Sequence, residues 1–418
     1  MPKSGFFLCV QARLPLPALL MSVSGLIFLS ACGGGSSQNN QPPPPPAAVI
    51  IAFPSNTGAV DSGNWSNNIW TIHSDGSSAT QLTDYSGGEN ANPQALQPLW
   101  SPNGKKMVYL SDGALDGSNS LAQYYYLWEM NADGSNKTPI YTETPVVYSV
   151  VGNDADWSHD GSKLAVTVSP GNELEIAVMN ADGSSPKMIA SGLSAVWSPD
   201  DTKLAYAAST PTTDANIWTM NADGSAQTQL TQFGGYNNAE APVWSPDGTK
   251  LAFHLDNLSG GGFTVGIMNS DGSNQQSYPG STLLYNDADM IGRLVNWSPD
   301  GTKLAFYSTA ALDGNPGSPD VDSLNIWLIN ADGSNRHPLT NYTLDVGSIY
   351  VFDPVWSPDG SQLAFLSNAA LDGSDTVGDT TGWCVWTIKA DGSSLTPLPA
   401  TCTGINWSTK WLQPAWQP

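Results

Sequence analysis

The sequence predicts an all-β protein, a seven-bladed β-propeller built from four-stranded antiparallel blades. Three observations lead there. The phrase "WSPDGTKLAF" stands at 244–253 and again, letter for letter, at 297–306, and paraphrases of it run through most of the chain. A second phrase, "NADGS" or a close variant, alternates with the first, so Asp-Gly hairpin signals separate short apolar, β-prone runs. The composition agrees: of 418 residues 41 are Gly and 31 Pro, and only six of the 37 acidic residues are Glu. Asp, Gly and Pro suit turns, whereas Glu would suit helix surfaces.

Taken in order, the chain begins with a segment that is no part of the propeller. Lys3 and Arg13 precede the apolar stretch "LPLPALLMSVSGLIFLSA", which ends at "LSAC", Leu29 to Cys32. A basic segment, an apolar run and small residues before a cleavage point describe a secretory signal, and two prolines argue against a transmembrane helix. "LSAC" resembles the lipobox of bacterial lipoproteins. That resemblance implies a signal peptide over 1–31, diacylglycerol on Cys32 and, with Gly33 following in a Gram-negative source, an outer-membrane address facing periplasm or cell surface. Residues 32–48 read as a tether, Gly- and Ser-rich and then stiffened by Pro42 to Pro46.

The propeller is expected over 49–418. The Trp of the first phrase recurs at Trp100, Trp157, Trp197, Trp244, Trp297 and Trp356, and the Asp-Gly of the second at Asp75, Asp133, Asp182, Asp223, Asp271, Asp332 and Asp391. Seven copies at spacings of roughly 40 to 60 residues fall where repeats build propellers. Each unit reads as a strand ending in Trp, a Ser-Pro-Asp-Gly turn, a "KLAF" strand, a variable link, an "IWTMN" strand, an "ADGS" turn and a short fourth strand. The first unit starts at "VIIAF" without a Trp strand, and the chain ends at "QPAWQP" with Trp416. The C-terminal strand is therefore expected to close the first blade and hide the open edges. The count gives seven blades, with six or eight as alternatives.

These phrases resemble the propeller repeat of the TolB family, related to WD repeats and found in many bacterial lipoproteins. The resemblance covers nearly all of 49–418. It departs from the family at the front, where TolB has a small α/β domain and this chain has the proline tether. No Gly-x-Ser-x-Gly of a fused serine hydrolase is present.

The repeated residues themselves are explained by folding. Trp100 and its equivalents are expected to pack between neighbouring blades, and Asp247 and Asp300 to bond backbone N–H groups two residues on. Lys163, Lys203, Lys250 and Lys303 fill one equivalent slot beside the turns. The formal net charge of -23 excludes a nucleic-acid partner and a polybasic membrane patch, which leaves the lipid as the membrane contact.

Function is expected where the repeats disagree. Both constant turns fall on one face of the disc, so the links from second to third strand and from fourth to first share the other. Three of these links place Asp116, Asp313 and Asp372 equivalently, and Tyr124, Tyr236 and Trp383 add aromatic surface nearby. Carboxylate-rich loops are the kind that take Ca²⁺, although none matches an EF-hand and no metal ligand set is assigned. A second candidate set lies three residues before each inner Trp, at Gln97, Asp154, Ser194, Asp353 and Gln413. Seven-fold repetition would arrange these as a ring at the channel mouth, with Arg293 beside it. His73, His159, His254 and His337 do not fall on one face, and no catalytic constellation is found. Cys384 and Cys402 flank the last "ADGS" hairpin and can form a disulfide in an oxidising compartment. The reading is a non-enzymatic, monomeric, lipid-anchored propeller that binds an envelope protein through its variable face. A carbohydrate-binding or carbohydrate-active propeller, recognising a glycan, is the alternative.

Overall fold

In the computed structural model the described residues are 49–55, 66–85, 93–113, 121–141, 155–170, 173–210, 213–234, 237–257, 262–281, 295–308, 324–343, 349–371, 383–402 and 414–418. They form seven four-stranded antiparallel sheets, each consecutive in sequence except the first. Blade four shows the plan, with strands Leu193–Trp197, Lys203–Thr210, Thr213–Asn221 and Thr228–Gln229 running from the innermost to the outermost. Blade one takes its innermost strand from the C-terminus: Trp416 pairs with Ile51 and Ala415 with Ala52. Seven blades and C-terminal closure are therefore as the repeat count requires. The one helical element among the described residues is a 3-10 turn, Pro399–Thr401.

The apolar cores lie between blades. At one junction Ala165, Ile176 and Val178 of blade three pack against Trp197, Leu204, Tyr206 and Met220 of blade four. Within blades, the second and third strands face each other with paired rings, as in Phe53 with Trp70 and Phe365 with Trp386. Blade five has Gly266 opposite Phe253, and a Cβ there would stand 2.3 Å from the ring, so the bare backbone makes the room that the phenyl fills.

The inner Trp residues link the blades by hydrogen bonds as well as by packing. Trp416 donates its indole N–H to the Val355 carbonyl, Trp100 to Ala415, Trp244 to Val196, Trp297 to Val243 and Trp356 to Asn296, each at 3.0–3.2 Å. Every acceptor is the residue just before the preceding blade's Trp. Trp157 and Trp197 bury their indole N–H without such a bond. At that junction the Asp156 carboxylate instead accepts the backbone N–H of Trp197 at 2.9 Å.

The turns behave as the sequence requires. Asp247 Oδ1 accepts the Thr249 N–H and Asp300 Oδ1 the Thr302 N–H, each at 3.0 Å, and the Ser245 and Ser298 hydroxyls donate to the same carboxylates. The turn glycines also wedge each blade onto its predecessor. Gly183, at φ +80°, lies so close to blade two that a Cβ would stand 1.7 Å from the Ile140 carbonyl oxygen.

Blades three and four carry a paired exception. "WSHDG" has His159 where other blades have Pro, and "WSPDD" has Asp201 where they have Gly, at φ +58°. Asp201 reaches across to accept the backbone N–H groups of His159, at 2.7 Å, and Asp160, at 2.9 Å, and it sits 3.2 Å from the His159 ring. One substitution supplies a donor and the other its acceptor.

Another device repeats in blades one, four and six. The third strand carries a buried Asn at or near its start, Asn68, Asn216 and Asn325, whose Oδ1 accepts the hydroxyl of Thr83, Thr231 or Thr340 at 2.9 Å. The same amide donates to the backbone carbonyl of Tyr85, Phe233 or Tyr342. This clasp ties the start of the third strand to the end of the fourth. In blade seven Cys384 holds the Asn position and is disulfide-bonded to Cys402, with Cα atoms 4.2 Å apart. Thr401 keeps the remaining bond, accepting the Val385 N–H at 2.8 Å. A covalent link stands in the last blade where hydrogen bonds serve elsewhere.

Candidate functional site

The two faces of the disc differ in what their charged residues do. On the face of the constant turns, Asp75, Asp133, Asp182, Asp223, Asp271, Asp332 and Asp391 each accept a Ser hydroxyl and a backbone N–H two residues on. These bonds, the hydroxyl first, hold the carboxyls below their ordinary range. Ten of the twelve Lys and Arg residues after Cys32 lie in or beside these turns. The segments that link second to third strands and fourth to first strands contain sixteen Asp and Glu against two basic residues, Arg293 and Lys410. By sequence, therefore, the excess negative charge falls in the variable links, most of whose acidic residues lie outside the described residues.

Three residues before the inner Trp the structure shows a repeated β-bulge. The innermost strands of blades two, four, five and seven shift register there, and Gln97, Ser194, Ala241 and Asp353 adopt φ of 51°, 55°, 48° and 52°. Pro98, Pro242 and Pro354 follow three of them, residues with no N–H to lose where pairing lapses. Gln97 is half-buried, and Ser194 and Asp353 are buried, so the expected open polar ring is instead a set of side chains held at a strand irregularity. The Ser194 N–H donates to the Thr167 hydroxyl of blade three at 3.1 Å. At the equivalent junction Asp353 lies beside Tyr307, whose phenol is pushed well up by burial first and the Asp353 charge second. Asp154, Arg293 and Gln413 lie outside the described residues.

Of the loop-face set, Asp116, Asp313, Asp372 and Tyr236 also lie outside the described residues, as does the side chain of Tyr124; so do Cys32 and the whole of 1–48. Trp383 does not offer the open surface expected of it. It is 7% exposed, its ring 5.1 Å from Phe352 and 6.3 Å from Tyr350, in a cluster completed by Tyr307 edge-on to Phe352 at 5.4 Å. The disulfide at the next residue fixes this cluster from below, so the ring packs the junction of blades six and seven.

Sequence reasoning missed a site at the variable end of blade two. The second strand, Lys106–Gly113, ends in Ser111, Asp112 and Gly113. Ser111 donates its hydroxyl to the Tyr85 oxygen at 2.8 Å, and the Tyr85 ring lies so close over Gly113 that a Cβ there would be 2.8 Å away. Asp112 Oδ1 accepts the Gln94 N–H at 2.5 Å, and Gln94 Oε1 in turn accepts the Asn67 N–H of blade one at 3.1 Å. Burial pushes the Asp112 carboxyl up to about 6. Burial first and that nearby charge second also raise the Tyr125 phenol. The available signal was the contrast of "SDG" at 111–113 with "SNA" at 367–369.

The histidines do not converge. His73 is 3.3 Å from the Ser77 hydroxyl and His337 is 2.8 Å from the Asn335 carbonyl, both in constant turns, while His254 is buried and pulled down to about 3. Among the described residues no group of three or more His, Cys, Asp or Glu is placed to hold a metal ion.

Comparison with known proteins follows the same lines. Residues 146–283 match the TolB beta propeller domain family. An uncharacterized protein of Agrobacterium fabrum is 28% identical over 275 residues, 64% of this chain and 83% of that protein. The Tol-Pal system protein TolB of Rhizorhabdus wittichii is 38% identical over 99 residues, 24% of this chain and 18% of that one. Among solved structures, a Mycobacterium tuberculosis puromycin-hydrolyzing peptidase superposes with a TM-score of 0.54 at 14% identity, over 84% of this chain and 53% of the peptidase, a likeness of fold. The match to the TolB beta propeller domain family covers the central blades, residues 146–283, and the closed ring of seven four-stranded sheets carries the same β-propeller fold through the other described residues.

Proposed function

We propose that this protein is a non-enzymatic scaffold, lipid-anchored through Cys32 outside the cytoplasm, that binds a protein partner through the variable face of its propeller. The observation that carries the reading is the division of labour between the faces. The constant-turn face uses its carboxylates to bond its own backbone, whereas the links between strands carry sixteen acidic residues in the sequence and differ from blade to blade. Such a surface suits a basic partner, which its field would steer and orient. The extracytoplasmic address is supported by the secretory segment before Cys32 and by a Cys384–Cys402 disulfide, a bond that persists in oxidising compartments.

The test is a crosslinking pull-down from envelope extracts with the lipidated protein, comparing wild type with a variant shortened within 308–322. Recovery of one protein by wild type and its loss in the variant is expected. Recovery of nothing, or equal recovery by both, would contradict the reading.

A further inference from the structure

We propose that Asp112, with Tyr85 and Tyr125 beside it, receives a cationic side chain of the partner, a lysine ammonium or an arginine guanidinium. The inference rests on the reading of the variable face as a protein-binding surface, and it adds the chemistry of one contact. Three independent features of the site support it.

The first is that the fold does not need a charge at this position. Asn368 occupies the same place in blade seven, and its Oδ1 accepts the Tyr350 N–H at 2.7 Å, just as Asp112 Oδ1 accepts the Gln94 N–H. A neutral amide thus performs the structural task. The second is that nothing among the described residues neutralises the carboxylate. The two ion pairs among them, Lys106 with Glu129 and His159 with Asp201, are both elsewhere. A half-buried carboxylate kept without a counter-ion is costly to the folded chain, and an arriving cation would offset that cost.

The third feature is the aromatic setting. Asp112 stands at a register irregularity between the paired residues Ser111–Tyr126 and Gly113–Leu121, and its charge acts on the nearby Tyr125 phenol. Tyr85 is fixed on the adjoining blade edge by its Ser111 and Asn68 bonds, the latter joining its N–H to the Asn68 Oδ1 at 2.7 Å. A carboxylate close to two tyrosines combines an opposite charge with aromatic surface, the pairing that favours organic cations. A hard divalent ion needs six to eight oxygens and is poorly served by one carboxylate. Asp84, Glu89 and Asp116, in the links that adjoin the first and second strands of this blade in sequence, add negative charge that would draw the same cation in.

The experiment uses a lysine-containing peptide as probe, with the norleucine peptide of equal length as control, and follows the Asp carboxyl carbons of the full protein by NMR. The lysine peptide is expected to shift the Asp112 signal and lower its midpoint, and the norleucine peptide to leave both unchanged. Asp112→Asn, which mimics the native Asn368, is expected to fold normally and to bind the lysine peptide about tenfold more weakly. Asp75→Asn on the opposite face is expected to change nothing. Equal binding by wild type and Asp112→Asn, or no shift at Asp112, would overturn the proposal. A partner pulled down equally by wild type and Asp112→Asn would overturn this contact alone. A pull-down that recovers no partner would instead remove the reading on which it rests.

Discussion

The two faces of this disc use the same residue, Asp, for opposite purposes. On the constant-turn face each Asp is consumed locally: Asp332, for example, takes the Ser334 hydroxyl at 2.6 Å and the Ser334 N–H at 2.9 Å. On the variable face Asp112 holds one backbone N–H, a task that Asn368 performs without charge. The difference teaches that acidity in this chain is no single property. In the "ADGS" turns every blade keeps an Asp whose charge is bonded by a hydroxyl and an N–H, whereas at position 112 the structural bond is one that a neutral amide makes in blade seven.

The sharpest way to break the constant face is through its wedges. Gly183→Ala combines a positive φ with a Cβ aimed at the Ile140 carbonyl, and a loss on the order of 3 kcal/mol is expected on chemical denaturation. The equivalent change at an open position, Gly234→Ala, should be nearly silent, because a Cβ there meets nothing within 4 Å. Equal effects at the two sites would show that blade-to-blade wedging is not what the turns supply.

Next in size is the covalent clasp. Reduction, or Cys402→Ser, should cost about 2–4 kcal/mol, the usual contribution of a native disulfide closing a short loop. Cys384→Asn in the Cys402→Ser background restores the residue of the Asn clasp beside Thr401, and should recover part of that loss relative to Cys384→Ala. No difference between the Asn and Ala variants would contradict the equivalence of disulfide and clasp.

The exchanged pair of blades three and four gives a smaller, coupled effect. Asp201→Gly leaves the His159 and Asp160 N–H groups without their acceptor and should cost about 1 kcal/mol. Adding His159→Pro returns both turns to the phrase of the other blades and should recover much of it. Simple additivity in the double-mutant cycle would refute the compensation.

The smallest effect has a sign that separates the faces. The turn carboxyls are held below 3.8, so their contribution is complete above the unfolded value and is lost as the pH falls through the folded ones. Asp112 is pushed up to about 6, so its contribution is most favourable at low pH and declines as the pH rises from about 4 to 6. Asp112→Asn should therefore raise the melting temperature slightly at pH 7 and leave it unchanged near pH 4. A loss of stability at pH 7 would show that the charge is structural after all.

Much of this architecture is written in the sequence because a propeller repeats its instructions. Trp100 and its equivalents gave blade number and register, and the unmatched "VIIAF" and "QPAWQP" gave the closure later seen as Ile51 paired with Trp416. The bulge at Gln97, Ser194, Ala241 and Asp353 was not legible, since simple strand alternation offers no reason for an extra residue there. The prolines after three of them were the one hint. The Asn clasp was hidden by distance, because Asn68 and Thr83 are 15 residues apart and become partners only when the hairpin closes. Asp112 escaped notice because its neighbours in the "SDGALDG" link look like ordinary turn residues, and burial is a property of the folded chain.

The central claim is that the variable face carries the function, and the most direct measurement is the crosslinking pull-down repeated with one variant per face. Shortening 308–322 is expected to abolish capture of the partner, and Asp332→Asn on the constant-turn face to leave it intact. Loss of capture in Asp332→Asn with retention in the shortened variant would contradict the claim, and would move the binding surface to the opposite side of the disc.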